Sequence, residues 1–444
     1  KNKTTIQPIT CMQVLNRTLL YFFKNIVESN RVVSLFDFEN KEKLFPAVDS
    51  RMKFSLLTLG HDIPDAVFLF FATRTEHLQD NRRRFTLTAD DITLINPNTR
   101  TCPIFRSQAD AELAKKLHRH SGIFISEASG KEGNAWGVTL QLMFMMNTAS
   151  GLFRTHRQLL EQGGVREGND WLLPDAVRYV PLYEAKFIYF YDHRAGSYET
   201  RGADRGYRVL PPTELASYQN PAYSITPYYW VPSHEVESRL NEHGWRRGWL
   251  MGWRDITSAT NERSVIAGVI PRCACGDTFL IMLPQIENIL LAACLYADQC
   301  SIVHDYVARQ KIGGIHIKFH TKKQIPVLPP TAYTQSDLDF ILPRVIELTY
   351  TAHDLKPFAE DMGYNGPPFA WDPERRAQLR AELDAYYARL YGLTRDELRY
   401  ILDPADIMGE DYPSETFRVL KNNDIRNFGE YRTGHLVLDA WDRL

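Results

Sequence analysis

The residues best suited to chemistry lie in one short basic segment, Asp305–Pro330, which reads DYVARQKIGGIHIKFHTKKQIPVLPP. The pattern predicts a helix end, a Gly-Gly loop, one short strand and a proline-rich exit. Gly313 and Gly314 allow the backbone to take positive φ and to approach a ligand closely. The segment contains one carboxylate, Asp305, and five basic residues: Arg309, Lys311, Lys318, Lys322 and Lys323. Such a loop favours the binding of phosphate oxygens.

Further candidates lie on turns between apolar stretches in the middle of the chain. Arginine can pair bidentately with guanine and asparagine with adenine, whereas lysine is suited to holding phosphate. Turns of a β framework that carry these residue types therefore predict contacts with duplex DNA. The predicted DNA-binding residues are His193, Arg194, Arg246, Arg247, Arg254, Thr257, Asn261, Arg263, Lys311, His316 and Lys318.

The composition is that of a globular protein: 44% of the 444 residues are hydrophobic and 24% are charged, enough for about two to four domains. The longest apolar run, within 286–297, is too short to span a bilayer, so no membrane association is expected. The first twenty residues lack the apolar core and cleavage site of a secretory signal. We expect a fragment of a longer protein or a split-gene product, in the cytoplasm.

The net charge of −2 hides an uneven distribution. Residues 1–330 carry 39 basic and 33 acidic side chains, and residues 331–444 carry 13 basic and 21 acidic ones. A basic body beside an acidic tail is compatible with DNA binding, because charges act over a Debye length of roughly 8 Å at physiological salt.

The expected fold class is α/β, a mixture of helices and strands in three parts separated by a linker. Residues 1–75 are predicted to be the last strands of a Rossmann-like sheet, with strands at 32–38, 53–59 and 67–72 buried on both faces. Residues 76–125 are predicted to be a linker, with a helix that Ser107 caps. Residues 126–330 are predicted to form an irregular β-rich domain that recognises DNA. It includes a strand at 316–320 and one long helix that begins near Pro284.

Residues 331–444 are predicted to form a helical domain. Asp372 and Pro373 suit the first turn of a helix whose apolar face ends before Gly392. Thr394 and Glu397 have the spacing of a capping box, which predicts that a second helix follows at once.

Several segments together resemble one family of DNA-modifying enzymes. The stretch KIGGIHIKFHTKKQIPVLPP resembles the closing segment of target-recognition domains in restriction–modification proteins. RVVSLFDFENKEKLFPAVDSRMKFSLLTLG resembles the last strands of the catalytic domain of large DNA adenine-N6 methyltransferases. Three later segments resemble type IIG and DISARM-type phage-defence members of that group: PLYEAKFIYFYDHR, WRDITSATNERSVIAGVIP and AELDAYYARLYGLTRDELRYIL.

The resemblance implies that the chain is the C-terminal half of such an enzyme and orients double-stranded DNA for methylation. The family also needs a glycine-rich turn for S-adenosylmethionine and an N-P-P-[FY] motif for the flipped adenine. The sequence contains neither; its nearest matches are Asn96-Pro97-Asn98-Thr99 and Asn365-Gly366-Pro367-Pro368-Phe369. The cofactor is therefore expected in an upstream methyltransferase domain, with no catalytic residue in this chain. Other defence-system subunits are possible partners.

Two alternatives belong to other classes of protein. Asp175, Glu184 and Lys186 loosely match the P-D…(D/E)-x-K pattern of nucleases that bind Mg²⁺ through carboxylates. The aromatic content of 12%, with clusters at 228–230 and 245–253, would also suit a carbohydrate-binding protein. The cysteines have poor spacing for zinc, so reduced, buried thiols and no metal site are expected.

Overall fold

A computed structural model describes residues 5–9, 17–199, 201, 209–258 and 261–444, and these form a mixed α/β protein. Its strands are β1 (Thr5–Ile9), β2 (Val32–Glu39), β3 (Lys53–Leu59), β4 (Ala66–Ala72), β5 (Phe85–Leu87), β6 (Val138–Gln141), β7 (Val165–Glu167), β8 (Asp170–Leu172), β9 (Arg178–Tyr183), β10 (Trp230–Pro232), β11 (Trp249–Arg254), β12 (Ala267–Pro271), β13 (Ala274–Cys275) and β14 (Phe279–Pro284). Its helices are α1 (Arg17–Glu28), α2 (Ala89–Ile95), α3 (Gln108–Ser121), α4 (His156–Glu161), α5 (Leu215–Tyr218), α6 (Ser233–Asn241), α7 (Leu291–Cys300), α8 (Ile302–Arg309), α9 (Phe319–Lys323), α10 (Gln335–Thr349), α11 (Lys356–Asp361), α12 (Pro373–Leu390), α13 (Arg395–Leu402), α14 (Ala405–Met408), α15 (Arg418–Phe428) and α16 (Arg432–Arg443).

The first sheet has the order β1-β3-β2-β4-β5, in which only β2 and β4 run parallel. The three predicted strands are confirmed as β2, β3 and β4. Alternating residues of β4 enter two apolar clusters, Phe68 and Phe70 on one face and Leu69 on the other. The prediction of burial on both faces is confirmed for β4, whose second face packs against Leu44 and Leu78 from short turns instead of a helix. It is wrong for β3, where Ser55 and Leu57 on one face are buried but Phe54 and Leu56 on the other are only half-buried.

The predicted linker, 76–125, folds against this sheet. β5 pairs with β4, and Phe85, Ile92 and Phe105 join the apolar cluster under helix α3. Ser107 caps α3 as predicted, since its side chain accepts a hydrogen bond from Asp110 N at 3.1 Å. Residues 76–125 therefore pack against the first sheet through buried apolar side chains. The predicted domain boundaries remain a prediction.

The middle of the chain contains two small sheets, β12-β11-β14-β6 and β10-β9-β8-β7, with β13 parallel to β9. β11 lies at the centre of the first, where Trp249 and Trp253 are fully buried. The irregular β character predicted for this region is therefore confirmed in the described residues.

Two local predictions in the same region are wrong, and one conformational freedom that the sequence allows is not used. The segment 316–320 makes only a one-residue bridge, between His316 and Ile256, before helix α9 begins. Pro284 ends strand β14 opposite Val138, so the following helix starts only at Leu291. Gly313 and Gly314 do not take positive φ, so the loop does not use the backbone freedom of glycine.

The helical end of the chain follows its sequence signals. Asp372 caps α12 by accepting hydrogen bonds from Glu374 N and Arg375 N at 2.9 and 3.2 Å. Thr394 and Glu397 form the predicted capping box, and Gly392 takes a φ of +67°. These helices share one continuous apolar core with the middle sheets. None of the described helices has the length and apolar character needed to cross a membrane.

Candidate nucleic-acid interface

Two loops pair beside the end of β11 and bring four predicted site residues together. Ile317 N donates to Asp255 O at 2.8 Å, and Thr257 N donates to Ile315 O at 3.0 Å. We call these segments, 254–257 and 315–318, the paired loops. They include Arg254, Thr257, His316 and Lys318 of the sequence-based set.

Asp255 organises the cations of the paired loops. Its carboxylate is 2% exposed, and its Oδ2 accepts from Lys318 Nζ at 2.6 Å and from His316 Nδ1 at 2.8 Å. The Lys318 and His316 side chains remain 46% and 42% exposed. One buried carboxylate therefore fixes two side chains whose other faces meet solvent. Sequence reasoning missed this role, although Asp255 directly follows an apolar strand that ends in Arg254.

The paired loops also expose apolar side chains. Ile315 is 62% exposed and Ile256 48% exposed, whereas Ile317 is fully buried. Ile317 therefore anchors a protruding tip to the core. Gly313 and Gly314, just before the tip, are exposed as well.

Asn261 and Arg263 lie on a neighbouring loop held by α8. Asp305 accepts from Ser264 N at 2.9 Å and Val265 N at 2.8 Å, and Arg309 donates to the Asn261 carbonyl at 2.7 Å. Asn261 is exposed, as a base-reading residue must be.

Arg263 is instead an internal residue. Its Nε lies 3.4 Å from Asp305 Oδ2 and its Nη1 3.5 Å from Asp384 Oδ2. Burial alone would lower the pKa of Arg263, but Asp384 and Asp305 more than offset it, so the pKa is raised. Arg263 therefore ties this loop to α8 and α12.

Lys311 also has an internal role, where the sequence predicted a phosphate contact. Its Nζ donates to Ile95 O at 2.6 Å and to Asn96 Oδ1 at 2.7 Å. Burial lowers the pKa of Lys311 well below its usual value. The residue links the Gly-Gly loop to the C-terminal end of α2.

Three further predicted residues are buried. His193 Nε2 lies 2.8 Å from Asp354 Oδ1, and the Arg194 guanidinium is fully enclosed by backbone carbonyls. Thr257 is 5% exposed, and its hydroxyl donates to Ser264 O at 2.5 Å. Buried side chains cannot reach base edges. Thr257 instead helps to hold the paired loops, whereas His193 and Arg194 hold segments outside them.

Arg246 and Arg247 precede β11, whereas the paired loops follow it. A six-residue strand is about 20 Å long, so the two groups lie at opposite ends of the sheet. Arg247 pairs with Asp361 at 3.0 Å, and Arg246 is exposed. The eleven predicted residues therefore do not form one surface.

The structure does not support the nuclease pattern. Asp175 accepts from Val177 N in a turn before β9, and Glu184 follows the same strand, about 20 Å away. Lys186 pairs with Glu184 at 3.0 Å. No group of three or more potential metal ligands occurs within the described residues.

The tryptophans of the two aromatic clusters cannot serve as a platform for a sugar. Trp230, Trp245, Trp249 and Trp253 are at most 3% exposed. They build the core and present no face to a sugar. The described cysteines, from Cys102 to Cys300, form no disulfide bonds with one another and are buried, as the sequence predicted.

A buried ionisable cluster behind the paired loops was not evident from the sequence. Lys322 Nζ lies 3.0 Å from His304 Nε2, and His304 Nδ1 lies 3.8 Å from Asp298 Oδ1. Burial lowers the pKa of Lys322 to about 7 and raises the pKa of Asp298 to about 7. Lys322, predicted as one of the loop cations, is therefore part of the core.

We expect this burial to make stability depend on pH. Between about pH 7 and about pH 10 the unfolded chain holds a proton on Lys322 that the native protein has released, so native stability rises with pH in this window. Relative to Lys322→Met, the wild-type free energy of unfolding should rise by about 1.4 kcal/mol per pH unit. Urea denaturation of both proteins across this range measures the difference.

The half-exposed Lys323 provides the control. Its Nζ pairs with Glu127 at 2.7 Å outside the buried cluster, so Lys323→Met should not reproduce the pH-dependent difference expected for Lys322→Met. A difference between Lys322→Met and the wild type that does not change with pH would contradict the lowered pKa of Lys322.

Comparisons with known proteins identify no family for this chain. No family model matches it, and no curated protein matches it. Among solved structures, the type IIL restriction-modification enzyme MmeI, in complex with DNA, matches with a TM-score of 0.39 and 9% identity over 88% of this chain and 47% of that one. The type IIG restriction endonuclease BpuSI matches with a TM-score of 0.29 and 9% identity, over 87% and 47%. The chain thus spans about half the length of both.

Proposed function

We propose that this chain binds double-stranded DNA through the paired loops. The observation that supports this most directly is the arrangement of Lys318 and His316 on the buried carboxylate of Asp255, exposed on the surface and fixed by the core. Preoriented cations on a rigid scaffold suit the sugar–phosphate backbone, which sets register on a duplex.

In this proposal the paired loops contact DNA through both cationic and apolar side chains. Lys318, and His316 when protonated, contact phosphates. Ile256 and Ile315 supply exposed apolar surface able to meet sugars or the methyl group of thymine. Asn261 is exposed on the adjacent loop, and asparagine is a residue type that can hydrogen-bond bidentately to adenine.

The wider proposal is a role in adenine-N6 methylation, within restriction–modification or phage defence in the cytoplasm. The resemblance of five sequence segments to such methyltransferases supports it. The parallel strands β2 and β4 end in short turns, 40–42 and 75–79, that contain no glycine. They do not fit the strand-to-helix turn that S-adenosylmethionine needs. This supports the part of the proposal in which an upstream domain binds the cofactor and carries out catalysis.

Retention of a duplex by the native chain in dilute buffer, measured by mobility shift, tests the proposal directly. Affinity should fall steeply with added salt, because neutralising phosphates releases counterions. A folded chain that retains no duplex would overturn the proposal.

The substitution Lys318→Gln should weaken binding to all duplex sequences alike. Loss of one phosphate contact is expected to reduce the slope of log affinity against log salt by about 1. Fluorescence anisotropy with a labelled duplex at several salt concentrations measures both quantities.

Lys356→Gln is the matched control. Lys356 is 60% exposed, pairs with Glu360 at 3.4 Å, and lies on α11 near the start of β11, away from the paired loops. The slope of log affinity against log salt should be the same for Lys356→Gln as for the wild type. Equal effects of the two substitutions would show that binding depends on net charge instead of the loops.

A further inference from the structure

A cleft between the end of β11 and helix α12 gathers three arginines. Its volume is about 500 Å³, within the range of small-ligand sites. Arg254 comes from β11, and Arg376 and Arg380 come from α12. The opposite wall is apolar and aromatic and includes Leu210, Pro212 and Tyr218.

Two of these arginines have no partner among the described residues. Arg254 makes no ion pair or side-chain hydrogen bond there, and its Nε is buried. Arg380, half-buried, is likewise without a hydrogen bond or ion pair in the described part of the chain. Burial lowers the pKa of both guanidinium groups. Buried charges in proteins are normally paired, because desolvation of an unpaired charge is costly.

The other charged groups of the cleft are already engaged. Arg376 donates to Leu348 O at 2.5 Å and to Tyr191 O at 3.1 Å, and its guanidinium stacks on Trp371. The carboxylate of Asp192 accepts from Arg194 N at 2.8 Å and from the Tyr218 hydroxyl at 2.6 Å. Within the described residues Asp192 forms no ion pair with Arg254 or Arg380, so these two arginines leave the cleft with an excess of positive charge.

We propose that this cleft binds a phosphate group, held by Arg254 and Arg380. Planar guanidinium groups match phosphate oxygens bidentately, and a partly desolvated site strengthens each contact. The phosphate could belong to a free mononucleotide, whose base would lie against the apolar wall, or to the backbone of bound DNA. Arg254 also belongs to the paired loops, but Arg380 lies outside them, and the inference does not require that Lys318 or His316 bind DNA.

Isothermal titration of the full chain with inorganic phosphate, AMP, S-adenosylmethionine and a short duplex tests the proposal. Arg380→Gln should weaken AMP or duplex binding at least tenfold, and Arg254→Gln should do the same. S-adenosylmethionine carries a cationic sulfonium and no phosphate, so it should not displace phosphate from the cleft. Thermal melting establishes that each variant is folded.

Arg375→Gln is the control, since Arg375 lies on the same helix but pairs with Glu347 at 2.8 Å outside the cleft. It should bind as the wild type does. AMP binding that depends on Arg380 identifies a nucleotide site, even if the chain retains no DNA. Duplex binding alone that depends on Arg380 identifies a backbone contact. The proposal would be overturned if neither AMP nor the duplex bound the chain. It would also be overturned if Arg380→Gln and Arg375→Gln had equal effects on binding.

Discussion

Replacement of Arg194 by methionine is expected to lower the free energy of unfolding by more than about 3 kcal/mol. The guanidinium donates to five acceptors: the carbonyls of Tyr218, Asn220, Tyr223 and Thr351 and the Thr351 hydroxyl. Methionine fills much of the volume but satisfies none of these buried oxygens. Urea denaturation followed by far-ultraviolet circular dichroism measures the loss.

Arg246→Met is the matched control, because the sequence predicted both arginines to read DNA. Arg246 is exposed, so its replacement should change stability by less than about 0.5 kcal/mol. If Arg194→Met were as stable as the wild type yet bound DNA more weakly, the anchoring role assigned to Arg194 would be wrong.

Replacement of Asp305 by alanine is expected to destabilise the protein by about 3–5 kcal/mol. Its buried carboxylate accepts from two backbone amides, Ser264 N and Val265 N, and pairs with Arg309 and Arg263 at 3.2 and 3.4 Å. Without the carboxylate, two arginines lose a shared anion, and the loop that presents Asn261 loses its anchor. Thermal and urea denaturation measure the effect on stability.

Asp396→Ala is the control for Asp305. The Asp396 side chain is 75% exposed and pairs with Arg399 at 3.0 Å, so its loss should cost less than about 1 kcal/mol. Limited proteolysis of folded Asp305→Ala should show faster cleavage near residue 261. Unchanged cleavage there would contradict the anchoring of this loop by Asp305.

The local signals of the sequence predicted much of the secondary structure. The three strands of the first sheet and the caps formed by Ser107, Asp372 and Thr394 occur where expected. Each depends on neighbouring residues alone, through β-branched runs or cap geometry. The strand predicted at 316–320 fails because only one residue of it finds a pairing partner.

The candidate site was less predictable, because burial is a property of the tertiary structure. Lys311, Lys318 and Lys322 look alike in sequence, yet Lys318 is exposed and the other two are internal. The difference arises from partners more than 200 residues away for Lys311 and from packing under Trp253 for Lys322. Likewise, no local pattern places Arg254 and Arg380 in the same cleft.

The pairing of β6 with β14 constrains how the protein can fold during synthesis. Val138 pairs with Pro284 and Gln141 with Ile281, so the central sheet joins residues that lie 140 to 146 positions apart in the chain. Closing so long a loop is slow, and the pairing cannot begin before β14 has left the ribosome. Until then the edge of β11 that pairs with β14 stays open, and its apolar residues are not yet covered. Nascent chains at this stage are expected to need chaperones. Refolding from denaturant should accordingly be slow and aggregate more readily at high protein concentration.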